Sequence, residues 1–236
     1  MKRFDIMTLF PELVDKVLGE SIIGRAQSGG IISVHTHNIR DFSGNKHRRV
    51  DDTPYGGGFG MLMQAPPVYD CYAFVKEEIA KERGEDAPVK VIYMSPQGKV
   101  LTQRKAEELA ELDNIIILCG HYEGIDSRVI EEIVDEEISI GDYVLTGGEL
   151  PACILVDCVA RLCDGVLADK ACYEEESISC GALEYPQYTR PYEFHGVRVP
   201  DVLISGNHAE IAKWRAEQSA RITKQKRPDL ISDKEE

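Results

Sequence analysis

Uninterrupted apolar runs alternate with segments of helical periodicity along the first two-thirds of the chain. Residues 4–10 alternate and are rich in β-formers, Pro11 then opens a short helix, and residues 31–37 read as a second strand. Residues 90–94 (Lys-Val-Ile-Tyr-Met) and 114–119 (Asn-Ile-Ile-Ile-Leu-Cys) are apolar without alternation, the pattern of strands buried on both faces of a parallel sheet. Between them Thr102 can cap a helix running to about residue 112. Further helices are expected over 126–134 and from Glu149 to about Leu162. Strand and helix in alternation predict an α/β fold with helices on both faces of the sheet.

Ligands of such sheets bind outside the carboxyl ends of the strands, so the chemistry is expected in the loops that follow them. The candidates are residues 95–98 (Ser-Pro-Gln-Gly), 120–124 (Gly-His-Tyr-Glu-Gly) and the stretch 138–151. Each carries glycine, which lets the backbone approach a ligand closely. No Gly-x-x-x-x-Gly-Lys-Ser/Thr loop occurs, nor an early Gly-x-Gly-x-x-Gly, so nucleotide hydrolysis and hydride transfer are not indicated. Residues 39–61 form a long segment of turn residues and charges around Tyr55-Gly-Gly-Gly-Phe-Gly60, a length without periodicity that suggests binding.

Charge changes the picture only when its distribution is followed. The net charge of -14 argues against a nucleic-acid partner. Yet Lys46, His47, Arg48 and Arg49 form one basic cluster, and Lys213, Arg215, Arg221, Lys224, Lys226 and Arg227 another; each could equally be solvated surface charge. The seven cysteines form no Cys-x-x-Cys pair and several fall in apolar segments, so small buried hydrophobes are expected rather than zinc or disulfides. His35 and His37 alternate on a strand without a second ligand pair, and no structural metal is assigned. With no apolar run of about 18 residues and no signal peptide, a cytoplasmic protein is expected.

From the first strand to the basic helix, six strings resemble the bacterial tRNA (guanine-N1)-methyltransferase family TrmD. They are Arg40-Asp-Phe-Ser-Gly-Asn-Lys-His-Arg-Arg-Val-Asp-Asp52 with Pro54 to Met61, Tyr93-Met-Ser-Pro-Gln-Gly98, Cys119-Gly-His-Tyr-Glu-Gly-Ile-Asp126, residues 138–151, Tyr188-Thr-Arg-Pro191 and Ser205-Gly-Asn-His208. The resemblance covers essentially the whole chain. It implies an α/β, trefoil-knotted SPOUT methyltransferase domain with a small C-terminal helical domain: residues 1–163 bind S-adenosylmethionine, 164–181 link, and 182–236 grip tRNA. It further implies an obligate homodimer whose active sites are shared between subunits. Periodicity alone would give an unknotted, doubly wound sheet, since knots are almost absent from ordinary topologies.

The implied activity is methyl transfer from S-adenosylmethionine to N1 of the guanine 3′-adjacent to the anticodon, with Mg2+ a candidate auxiliary ion. The family's cofactor pocket falls on Tyr93, Ser95, Pro96, Gln97, Gly98, Gly120, Tyr122 and Glu123, then on Ile140, Gly141, Asp142, Tyr143, Val144, Leu145, Gly147 and Gly148. The reaction needs a base for the ring proton and a cation facing the oxygen where charge develops. The family's arginine matches Arg161. Its aspartate, in a glutamate-aspartate-serine string, is replaced by Glu176 in Glu175-Glu176-Ser177; Glu175 or a solvated acidic run are competing readings, and Asp169 fails the alignment. Lys46, His47, Arg48, Arg49, Lys213 and Arg215 would hold RNA phosphates, with Trp214 either core or RNA contact. Phe59 stands where the family usually has proline. Two other readings stay open, a non-catalytic RNA-binding relic and a methyltransferase acting on ribosomal RNA or a ribose.

Overall fold

The computed structural model describes residues 1–168, 177–178 and 181–232. The chain divides into two compact units, Met1–Ala168 and Asp169–Glu236. The first is built on a five-stranded sheet of β1 (Lys2–Thr8), β2 (Ile32–Asn38), β5 (Lys90–Val100), β6 (Asn114–Cys119) and β7 (Glu136–Ser139) in the order β2-β1-β6-β5-β7. Every pairing in it is parallel. β6 is buried at every position, as its apolar run predicts, because helices cover both faces of a central parallel strand. On one face α1 (Pro11–Leu18), α2 (Ser21–Ser28), α4 (Gln103–Ala110) and α6 (Glu149–Ala160) pack Val14, Ile23, Leu109 and Val156 against Phe4, Ile6, Ile115 and Ile117. On the other, α3 (Ala65–Arg83) and α5 (Ser127–Ile133) set Val68, Val75, Ile79 and Val129 against Met7, Ile116 and Leu118.

β1 departs from the alternation expected of it, since all seven residues are buried. Its polar positions do not form a wet face. Arg3 donates through Nε to Asp5 Oδ2 at 2.8 Å and through Nη2 to Oδ1 at 2.9 Å. His37 Nε2, on the neighbouring β2, lies 2.8 Å from the same Oδ1. Charges can be buried when they are paired and hydrogen-bonded in this way. Burial pushes the Asp5 carboxyl up, but hydrogen bonds from His37 and Arg3 outweigh it and hold the group below the usual carboxylate range.

Among the elements without a sequence expectation, α3 and β7 shape the first unit most. α3 opens on Pro66 and Pro67, a favourable helix start, and buries Val68, Cys71, Val75 and Ile79 at helical spacing, so its signal was present. β7 is short and half charged, and only pairing with β5 defines it. β5 itself runs to Val100, past the expected end at residue 94, with a register shift: Met94 and Lys99 both pair with Ile138, so residues 95–98 bulge from the sheet.

Two short strands, β3 (Asp51–Asp52) and β4 (Leu62–Met63), form an antiparallel hairpin within the long segment. The second unit contains the hairpin β8 (Glu193–Phe194) and β9 (Val197–Arg198) and the helix α7 (His208–Lys226). The side chain of Asn207 caps α7 by accepting from the Glu210 backbone N–H, and Pro228 follows its end. Trp214 is half-buried, its ring 6.4 Å from that of Tyr188. Cys71, Cys119 and Cys153 are buried and Cys158 and Cys163 partly so, all free; Cys172 and Cys180 lie outside the described residues. Among the described residues no helix is long and apolar enough to cross a membrane.

Candidate cofactor site

Because the five strands run one way, their carboxyl ends share an edge, and the segments leaving it meet in a cleft of about 210 Å³. The bulge of β5, the loop after β6 and the stretch after β7 build its walls. Of the residues expected in a cofactor pocket, Tyr93, Ser95, Pro96, Gly120, Tyr122, Glu123, Ile140, Tyr143, Val144, Leu145, Gly147 and Gly148 line this cleft. Gln97, Gly98, Gly141 and Asp142 belong to the same loops without lining it. Met94, His121, Gly124, Ile138, Ser139, Thr146 and Pro151 also line it; all but Met94 fall in the candidate loops 120–124 and 138–151, without being assigned to the cofactor pocket. Each lies within three positions of an assigned residue, so the only signal available for them was proximity along the chain.

Glycines let these loops nest. A Cβ on Gly120 would lie 2.8 Å from the Tyr93 hydroxyl, and one on Gly148 would lie 2.8 Å from the Cys119 Cα. The Gly148 N–H donates to the Gly120 carbonyl at 2.8 Å, tying two walls together. Burial pushes the Tyr93 hydroxyl up to about 12, so it stays protonated at neutral pH. Side chains finish the turns: Ser95 Oγ accepts from the Gln97 N–H at 3.1 Å, and the Tyr143 hydroxyl donates to the Ile140 carbonyl at 3.2 Å. Polar groups fixed in this way stand beside apolar surface from Ile138, Ile140 and Leu145, a mixture that suits a small molecule.

Gly98 locks the bulge onto β7, because a Cβ there would meet the Glu137 carbonyl carbon at 2.4 Å and its oxygen at 2.5 Å. Both are backbone atoms that cannot rotate away. Gly98→Ala is expected to cost about 1–3 kcal/mol through overpacking, or a fall of roughly 2–4 °C in melting temperature for each of those kcal/mol. Cofactor binding should weaken with it. An unchanged thermal transition in differential scanning calorimetry would show that the bulge does not need glycine.

The hairpin of β3 and β4 docks beside the cleft. The Glu123 N–H donates to the Met61 carbonyl at 3.0 Å and the Met63 N–H to the Gly124 carbonyl at 2.9 Å. Beyond that anchor, Gly56, Gly57, Gly58 and Gly60 take left-handed φ, and Tyr55 and Phe59 are wholly exposed. Lys46, His47, Arg48 and Arg49 are exposed before the hairpin, Arg48 paired with Asp41 at 3.1 Å. In the second unit Lys213 and Arg215 are exposed on α7, with Arg215 4.7 Å over the Tyr185 ring.

Arg161 closes the far end of α6, whose first turn begins at the cleft. A rise of 1.5 Å per residue over that helix separates the two by roughly 18 Å, so the chain does not bring Arg161 into its own cleft. Glu175, Glu176 and Asp169 lie outside the described residues.

A parallel sheet with a glycine-lined cleft at its carboxyl edge defines an α/β protein whose cleft lies where such sheets bind small molecules. Residues 1–233 match the family described as tRNA (Guanine-1)-methyltransferase TrmD, and the chain belongs to that family. A Ruminiclostridium cellulolyticum protein named tRNA (guanine-N(1)-)-methyltransferase is 58% identical over 230 residues, covering 98% of this chain and 96% of its own. Proteins of the same name from Alkaliphilus oremlandii and Clostridioides difficile are 56% and 55% identical over 228 residues, each covering 97% of this chain and 91% and 96% of their own.

Proposed function

We propose that the protein transfers a methyl group from S-adenosylmethionine to N1 of the guanine 3′-adjacent to the anticodon of tRNA. The observation that carries this is the cleft at the strand ends, in which the loops that resemble the family's cofactor pocket converge. Its fit to an adenosyl group rests on the close packing of the loops at Gly120, Gly147 and Gly148, where a Cβ would strike a neighbour, and on the apolar wall of Ile138, Ile140 and Leu145. The cofactor supplies an electrophilic methyl group on a sulfonium sulfur.

The chain's own part is to hold the guanine and move its proton. Glu176 accepts the proton of N1–H, which leaves the nitrogen lone pair free for the methyl group that bound S-adenosylmethionine would supply. Arg161 faces the guanine O6, where negative charge develops as the proton leaves. Because Arg161 stands about a helix length from the cleft of its own chain, we assign it to a site completed by a second copy, in a homodimer. Half-exposed Leu13 and Val17 on α1 and Leu150 and Ile154 on α6 favour such an interface. Residues 1–163 would form the knotted SPOUT catalytic domain, 164–181 a linker, and 182–236 the domain that grips tRNA. Lys46 to Arg49, Lys213 and Arg215 would contact phosphates. The reaction would take place in the cytoplasm, with Mg2+ as an auxiliary ion.

Labelled S-adenosylmethionine and an unmodified tRNA with guanine at that position test this reading. Label should enter that tRNA and not one with adenine there, and chelation of Mg2+ should slow it. No transfer to the guanine tRNA would leave a protein that binds RNA without modifying it.

A further inference from the structure

His121 sits in the wall of the cleft, its ring centroid 5.1 Å from that of Phe10 and 5.0 Å from that of Tyr122. Its Nδ1 is buried and has no hydrogen-bond partner among the described residues. Folded proteins seldom keep such an atom without a use for it. Facing it is Gly147. A Cβ there would lie 2.8 Å from His121 Nδ1 and 2.4 Å from Glu149 Oε2. Gly147 does not take a left-handed φ, so a side chain there would be opposed by crowding from these two side-chain atoms and not by backbone conformation.

Glu149 is the first residue of α6 and is buried. Its other oxygen, Oε1, accepts from the Thr8 hydroxyl at 2.8 Å, and Thr8 ends β1. A carboxylate anchored to the sheet by one oxygen therefore presents the other, past Gly147, to an imidazole with an unused nitrogen. His121 and Gly147 already share a backbone bridge.

We propose that His121 is a positioning residue for the methyl-transfer reaction, its Nδ1–H donating to Glu149 Oε2 when the cleft is filled. That bond fixes the spacing between the loop 120–124 and the Gly147-Gly148 turn, two walls of the cleft. Nδ1 faces the wall and not the opening, so it acts on the ligand through the loops. The inference rests on the cofactor reading of this cleft.

Calorimetric titration of the full-length chain with S-adenosylmethionine, and with S-adenosylhomocysteine, tests it, alongside thermal unfolding of the ligand-free protein. His121→Ala should weaken binding about tenfold or more, the loss of one hydrogen bond to a charged group, and Glu149→Gln, whose amide oxygen can still accept but carries no charge, should weaken it less. His121→Asn places an amide atom where Nδ1 stands and should restore most of the affinity, whereas His121→Gln places it near Nε2 and should not. In steady state the KM for the cofactor should rise while that for tRNA holds. Wild-type affinity in His121→Ala, or equal loss in the Asn and Gln variants, would overturn the proposal. Loss explained by a matching fall in the melting temperature of the ligand-free variants would overturn it too. If the wild type binds neither compound, the cofactor reading fails and this inference with it.

Discussion

Asp5→Ala is expected to destabilise the first unit by about 3–5 kcal/mol, the cost of leaving one partner of a buried ion pair without the other. Arg3 is 4% exposed, and two of its guanidinium nitrogens donate to Asp5. The third donor group of that side chain reaches Glu82, which is 42% exposed and holds the charge only in part, placing the effect toward the lower end of the range. His37 loses its partner as well. Trp214 is the sole tryptophan and reports on the second unit, so loss of the sheet is best followed by far-ultraviolet circular dichroism in urea. A midpoint equal to that of the wild type would show that the cluster contributes nothing.

The same cluster sets an acid limb. The Asp5 carboxyl is held below its ordinary value in the folded chain, so the unfolded chain binds its proton first as pH falls. Its stabilisation is complete above the ordinary carboxylate value of about 3.9 and is lost as pH drops through the lower folded value. The loss should be shallower in Asp5→Ala, which lacks the group.

Glu176→Ala is expected to reduce methyl transfer at least about a hundredfold in single-turnover assays, within the range of roughly 10² to 10⁴ for loss of a positioned general base. Cofactor affinity should hold, because the residue is assigned to the guanine proton. Glu176→Asp restores the side chain usual in the family and shortens the carboxylate's reach by one methylene, toward the family's geometry. It should therefore raise the rate. Transfer by Glu176→Ala at the wild-type rate would send the base elsewhere in the chain, with Glu175 the nearest alternative; no gain in Glu176→Asp would show that glutamate is not a compromise here.

The apolar runs of β5 and β6 and the loops after them were legible because a strand covered on both faces can carry no polar residue without a partner. α3 was equally written, in its double proline and the spacing of Val68, Cys71, Val75 and Ile79. β1 misled for the opposite reason. Arg3 and Asp5 suggest a solvent face to any reading by polarity, yet each satisfies the other inside the unit. His121 and Glu149 lay in recognised strings without a recognised role, since they lie far apart along the chain from Thr8 and face each other only across Gly147.

By itself the sequence determined that residues 90–94 and 114–119 become buried strands, where glycine opens the backbone, and to which family the chain's strings point, because these depend on local chemistry and spacing. Only the tertiary structure decided that Met94 and Lys99 share Ile138 as partner, that the loops close into one cleft, and that Arg161 stands a helix length away from it. Strand order, register and the meeting of distant side chains are set by packing between segments far apart in the chain, which periodicity within a segment does not record.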